Sequence, residues 1–189
     1  MTLFPPKISR IVLGIIKNKR NFYEKILFQR EIFKITDHYP ILDDNGKKAF
    51  FVDQKFKFLG YEATVSDAND VEIFTINKKL ISFLPVYQVD FKDSKKKMTI
   101  KSNISVFRKS IDAISEDGKI NVKGNLWDYE FKAYFKGDLI GEVSKKILSF
   151  TDQYQLKVYE EDFTEELIAL CLSLNNIKDT EEESTRNND

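Results

Sequence analysis

Lys78-Lys79-Leu80-Ile81-Ser82-Phe83 returns 67 residues later as Lys145-Lys146-Ile147-Leu148-Ser149-Phe150. The match extends outward into a longer frame. Leu80-x-x-Phe83-x-x-x-Tyr87-x-Val89 aligns with Ile147-x-x-Phe150-x-x-x-Tyr154-x-Leu156 and with Ile32-x-x-Ile35-x-x-x-Tyr39-x-Ile41. A weaker fourth copy is Ile104-x-x-Phe107-x-x-x-Ile111-x-Ala113. Around them, Tyr61-Glu62 pairs with Tyr129-Glu130, and Asn45-Gly46-Lys47 with Asp117-Gly118-Lys119. The frame describes a recurring unit: a strand, a corner marked by the aromatic, then a strand opened by the tyrosine. Two halves built this way would close a sheet on itself, which removes the exposed edges that invite aggregation.

Turn signals punctuate the chain between Tyr23 and Glu160. They are Asp43-Asp44-Asn45-Gly46, Asp67-Ala68-Asn69-Asp70, Lys92-Asp93-Ser94, Glu116-Asp117-Gly118 and Lys136-Gly137-Asp138. With no helical stretch between them, the spacing predicts antiparallel meanders rather than βαβ units, about twelve strands in all. Composition agrees, because 16 Phe and 8 Tyr suit a pleated, half-buried surface. At 189 residues the chain fits one domain with a real core.

Two segments break the strand pattern. Ile8, Ile11, Val12, Ile15 and Ile16 share one face of a helix over residues 7–20, entered through Pro5-Pro6 and flanked by Lys7, Arg10, Lys17, Lys19 and Arg20. Such a helix either docks on the domain or lies on an anionic membrane surface. Near the other terminus, Asp162 and Glu165 have capping-box spacing ahead of Leu167-Ile168-Ala169-Leu170-Cys171-Leu172-Ser173-Leu174. A helix apolar on every face is a buried helix, and this one is too short to span a bilayer. The economical solution threads it through the barrel. The polar, acidic residues from Thr180 onward read as disordered. The domain reading is therefore an N-terminal helical extension at 1–22, the barrel with its central helix at 23–177, and an acidic tail at 178–189.

This pattern resembles the tubby C-terminal-like superfamily, and within it the LURP-one-related proteins, which also resemble phospholipid scramblases. The residues that carry the likeness are Asp44-Asn45-Gly46, Lys78-Lys79-x-x-Ser82-Phe83-x-Pro85-x-Tyr87, Lys145-Lys146-x-x-Ser149-Phe150-x-Asp152-x-Tyr154 and Glu166-Leu167-Ile168-Ala169-Leu170. The resemblance implies a mainly β fold, a twelve-stranded antiparallel closed barrel around a central hydrophobic C-terminal helix. Tubby proteins bind phosphoinositides and scramblases move lipids. The tubby lipid-binding motif has no counterpart in this sequence, nor do the Cys-rich segment and membrane-inserting tail of scramblases.

Reactive side chains are few. His38, the single histidine, occupies a repeat position held elsewhere by Val86, Ser110 and Gln153, which marks a tolerant surface site. Cys171, the single cysteine, rules out an internal disulfide and sits in the greasy helix, where a thiol behaves as a small hydrophobe. The acidic clusters Asp43-Asp44, Asp67 to Glu72 and Glu160-Glu161-Asp162 fall where turns and helix starts want carboxylates. There is no Gly-rich phosphate loop and no Gly-x-Ser-x-Gly elbow. No catalytic residue, metal site or cofactor is expected.

Charge supplies the remaining candidates. The 30 bases and 30 acids balance, but residues 179–189 hold five acids and one base, which leaves a mildly basic body. Lys78, Lys79, Lys145 and Lys146, with Lys95, Lys96 and Lys97, are the candidate ligand-binding set for anionic headgroups. Solvated lysines that discourage strand addition are the plain alternative. The expected function is a non-enzymatic binding or scaffold domain engaging anionic phospholipid, in the cytoplasm and peripheral at a membrane. The alternatives are a cytoplasmic protein–protein interaction domain and, third, an unrecognised enzyme. No nucleic acid partner and no transmembrane segment are expected.

Overall fold

The computed structural model describes residues 24–29, 38–57, 60–105, 108–145 and 153–186. The extension at 1–22 with its helix, Lys146, and the repeat segments around Ile32 and Phe150 lie outside the described residues.

Among the described residues, twelve strands precede one long helix. They are β1 (Glu24–Gln29), β2 (His38–Asp43), β3 (Lys48–Lys57), β4 (Gly60–Asp67), β5 (Glu72–Lys78) and β6 (Val86–Phe91). The second half holds β7 (Lys97–Ser105), β8 (Arg108–Ser115), β9 (Gly118–Asn125), β10 (Glu130–Phe135), β11 (Asp138–Lys145) and β12 (Gln153–Val158). A 3-10 turn at Glu161–Phe163 leads into α1 (Thr164–Arg186). The fold is mainly β and antiparallel, with one C-terminal helix. From β2 to β12 each strand pairs with its neighbours in sequence, and β1 lies beside β12 over six residue pairs. On its other side β1 meets β2 through Ile26↔Asp43 and Leu27↔Leu42.

Alternation explains why these segments are strands. Tyr61, Ala63 and Val65 of β4, Phe74 and Ile76 of β5, and Tyr87, Val89 and Phe91 of β6 all point inward and are buried. Register shifts at Ile41/Leu42, Val65/Ser66 and Ala133/Tyr134 add the bulges that bend a sheet. The space they enclose is filled by α1, whose residues Leu167 to Leu174 are buried on every face. The fit is close enough that β11 needs a glycine: a Cβ at Gly141 would stand 2.7 Å from Leu167 Cδ1.

Tight polar turns join the strands at the end where α1 begins, here the turn end. In two of them one carboxylate organises the backbone. Asp43 Oδ1 accepts from the Asn45 and Lys47 amides, and Asp67 Oδ1 from those of Asn69 and Val71. The opposite, loop end carries the connection from β5 to β6 and the C-terminal turns of α1.

The helix departs from expectation at both ends. Its first turn is not a capping box: Asp162 lies in the 3-10 turn, and α1 starts at Thr164, whose hydroxyl donates to the Glu161 carbonyl. Its C-terminus runs on to Arg186, through residues whose composition predicts an acidic disordered tail from 178. Side-chain anchors account for this. Trp127 Nε1 donates to Glu181 Oε2 at 2.9 Å, and Lys178 Nζ donates to the Trp127 carbonyl.

Candidate functional site

The repeat tyrosines converge on the helix at the loop end. Tyr39, Tyr87 and Tyr154 are each the second residue of their strands β2, β6 and β12, and all three are essentially buried. Tyr87 donates to Asn176 Oδ1 at 2.8 Å, and Asn175 Nδ2 donates to the Tyr154 hydroxyl at 2.7 Å. The second repeated pair joins them: Tyr129 donates to Asn175 Oδ1 at 2.6 Å, while Tyr61 and Tyr39 reach Gln54 Oε1 at 3.4 and 3.3 Å. Tyr129 stacks on Tyr154 with centroids 4.2 Å apart, and the Lys178 ammonium lies 3.8 Å from the Tyr129 centroid.

Burial pushes the hydroxyls of Tyr39, Tyr61, Tyr87 and Tyr154 well above the ordinary phenol range, so they stay neutral hydrogen-bonding groups. The cavity between Tyr39, Gln54, Tyr61, Asn175, Asn176 and Asp179 is only ≈ 10 Å³. That is room for about one water at most, so the cluster is filled by its own side chains.

Above this layer sit three of the candidate lysines. Lys78 closes β5 opposite Tyr87, and Lys145 closes β11 opposite Tyr154, the same register in both repeats. Lys78 is half-buried, its Nζ 5.9 Å from the Tyr87 centroid and 3.5 Å from Thr180 Oγ1. Desolvation lowers its pKa and the nearby Glu183 opposes that shift. Lys79 and Lys145 are exposed.

Lys95, Lys96 and Lys97 belong to the turn end. They follow β6, whose length separates them from Lys78 by roughly 10 Å or more at 3.3 Å per residue. Lys96 is ion-paired to Asp117 at 2.6 Å and Lys97 to Asp90 at 3.0 Å; Lys95, exposed, holds a positive φ of 54° in the turn. The seven lysines therefore do not form one patch. Three described members share the loop end, three the turn end, and Lys146 lies outside the described residues.

His38 is exposed, stacked on Phe51 and 3.3 Å from Asp53. Cys171 is buried, and burial pushes its thiol up, away from the reactive thiolate. Among the described residues no group of three or more His, Cys, Asp or Glu could hold a metal ion, and no helix is long and apolar enough to cross a membrane.

The repeat spacing marks the tyrosines as strand starters but does not point to Asn175 and Asn176, which bond Tyr87, Tyr129 and Tyr154. The available signal was Asn175-Asn176, two amides inside an otherwise apolar helix. The same repeat spacing makes Leu80 part of a strand and Phe83 a corner. Both lie in the β5–β6 loop and are exposed, with Ile81 between them.

The chain is similar to known proteins. A Bacillus subtilis protein, the uncharacterized protein YxjI, is 28% identical over 140 residues, 73% of this chain and 84% of its own. The X-ray structure of a protein from Arabidopsis thaliana superposes with a TM-score of 0.58 over 82% of this chain and 93% of that one, at 16% identity. That likeness is one of fold. The LURP-one-related family profile matches residues 24–175, the span from β1 to the Asn175 that the tyrosines bind. The chain belongs to the LURP-one-related family.

Proposed function

We propose that this chain is a non-enzymatic binding module that engages anionic lipid headgroups at a membrane surface through the loop end of its sheet. One observation carries the reading: the internal repeat sets Lys78 and Lys145 in the same register, beside Tyr87 and Tyr154, at one end of the molecule. Lys79 adds a third charge there. The module spans residues 23–177, with 1–22 as an extension. Its sheet acts as a closed barrel, a reading supported by the β1–β2 pairs, and it works in the cytoplasm in peripheral contact with the membrane.

Each lysine near an anionic surface contributes about 1 kcal/mol, so removing two weakens binding by roughly thirtyfold, and reversing their charge by more. The test is co-sedimentation with phosphatidylcholine vesicles, with and without phosphatidylserine, at low salt. Wild type is expected in the pellet with phosphatidylserine only, and Lys79→Glu/Lys145→Glu in the supernatant with an unchanged circular dichroism spectrum. Both substituted lysines are exposed, so the variant tests charge rather than folding. A folded wild type that ignores phosphatidylserine removes the headgroup reading and leaves a protein-interaction domain.

A further inference from the structure

The β5–β6 loop differs in kind from the connections at the turn end. At the turn end they are polar: Asp43 to Lys47, Asp67 to Asp70, Lys92 to Lys96, Glu116-Asp117 and Lys136-Gly137. The β5–β6 loop at the other end reads Leu80-Ile81-Ser82-Phe83-Leu84-Pro85. It is not a loop that folds its apolar side chains under itself. Leu80 is 68% exposed, and Ile81 and Phe83 are fully exposed, at 100% and 104%.

The loop is nonetheless held at its base. The Lys79 amide donates to the Val86 carbonyl at 2.8 Å, and the Ser102 amide of β7 donates to the Pro85 carbonyl at 3.0 Å. The Ser82 hydroxyl donates to the Leu84 carbonyl within the loop. A clamped loop with three large apolar side chains in water lacks the surface that would cover them, since a monomer seldom groups such residues without an interaction to serve.

Charge beside the loop, together with its apolar tip, narrows the occupant, although Glu183 on the last turns of α1 faces Lys78. Lys78 and Lys79 immediately precede the apolar residues, and Lys145 ends β11 on the same side. A protein groove would bury the exposed lysines with the apolar tip or leave them idle. A bilayer uses both: apolar side chains enter the acyl boundary while ammonium groups stay at the phosphates. The geometry points to insertion of Leu80, Ile81 and Phe83 into the acyl layer of an anionic membrane, with the loop end of the sheet facing the bilayer. This deepens the headgroup reading above and rests on it for the anionic preference.

The test uses Ile81→Cys, labelled in the full chain with an environment-sensitive fluorophore. Cys171 is 1% exposed, so the native thiol stays silent in the folded protein. Vesicles of phosphatidylcholine, alone or with phosphatidylserine, carry doxyl quenchers on the acyl chains. With phosphatidylserine present, the label is expected to shift to the blue and be quenched, and Ile81→Asp/Phe83→Asp to bind at least roughly tenfold more weakly with an unchanged thermal melt.

The outcomes separate the two ideas. Co-sedimentation with phosphatidylserine that leaves the label unshifted and the aspartate variant unimpaired overturns insertion and keeps headgroup binding. A shift on phosphatidylcholine alone, indifferent to salt and to Lys79→Glu/Lys145→Glu, keeps insertion and removes headgroup binding. A blue shift without vesicles that disappears on dilution assigns the loop to a second copy of the chain, and overturns insertion. Wild type that sediments with neither vesicle overturns both.

Discussion

Asn175 uses both ends of its amide, accepting from Tyr129 and donating to Tyr154, while its neighbour Asn176 accepts from Tyr87 alone of the three. The two residues therefore differ in what their loss removes. Asn175→Ala takes away two buried hydrogen bonds, to Tyr129 and Tyr154, so it should destabilise by about 2–4 kcal/mol. Tyr87→Phe removes one bond and keeps the ring, for about 1 kcal/mol. Urea unfolding of both variants measures the gap; equal midpoints would mean that the amide does not tie the strands to the helix. The tyrosines themselves were legible as a repeat, because a repeat is a local pattern. Their target was not, because Asn176 lies 89 residues beyond Tyr87 and nothing in a strand names its distant partner. The same limit hid the loop: Leu80, Ile81 and Phe83 give the signal of a buried segment, and periodicity reports that residues are apolar, not what covers them.

At the scale of elements, α1 shows composition being overruled by anchoring. Residues 178–186 have the charge of a disordered segment, and an isolated stretch of that length would not hold a helix. They stay helical as the continuation of a buried helix whose nucleation is already complete. Trp127 and Lys178 fasten the first added turn, and the hydroxyls of Thr180 and Thr185 donate to the Asn176 and Glu181 carbonyls. The buried part, Leu167 to Leu174, was legible from its all-round hydrophobicity; the continuation was not, since its anchor Trp127 is 54 residues from Glu181. Trp127 is the only tryptophan in the chain, which makes the anchor observable. Truncation after Ile177 removes Glu181 and Lys178 and should shift the emission of Trp127 to the red and lower the melting temperature. An unchanged emission maximum would show that Trp127 is held by the sheet alone. The same truncation removes Glu183, which faces Lys78, so it should also strengthen binding to phosphatidylserine vesicles.

On the scale of the whole molecule, the pairing of the strands is uneven. Among the described residues, β7 and β8 pair over eight residue pairs, from Met98↔Ser115 to Ser105↔Arg108, whereas β1 and β2 pair over two. Opening the β1–β2 seam breaks the fewest backbone hydrogen bonds, so it is the lowest-energy excursion the sheet offers. That excursion does not free the helix. α1 packs chiefly against β5, β7 and β12, and β1 stays attached to β12 along its whole length when it parts from β2. Two probes then separate. The Leu27 and Leu42 amides at the seam should exchange with solvent well before those of Thr99 to Ser102. Cys171, 1% exposed and with its thiol pushed up by burial, should react with a thiol reagent only as fast as the protein unfolds globally. Adding urea should accelerate the thiol reaction steeply and seam exchange only slightly, because the former exposes the whole core and the latter two residue pairs. A Cys171 rate that follows seam exchange with the same shallow urea dependence would mean that the β1–β2 seam is a door to the helix. The packing of α1 against the sheet would then be one state of a sheet that opens.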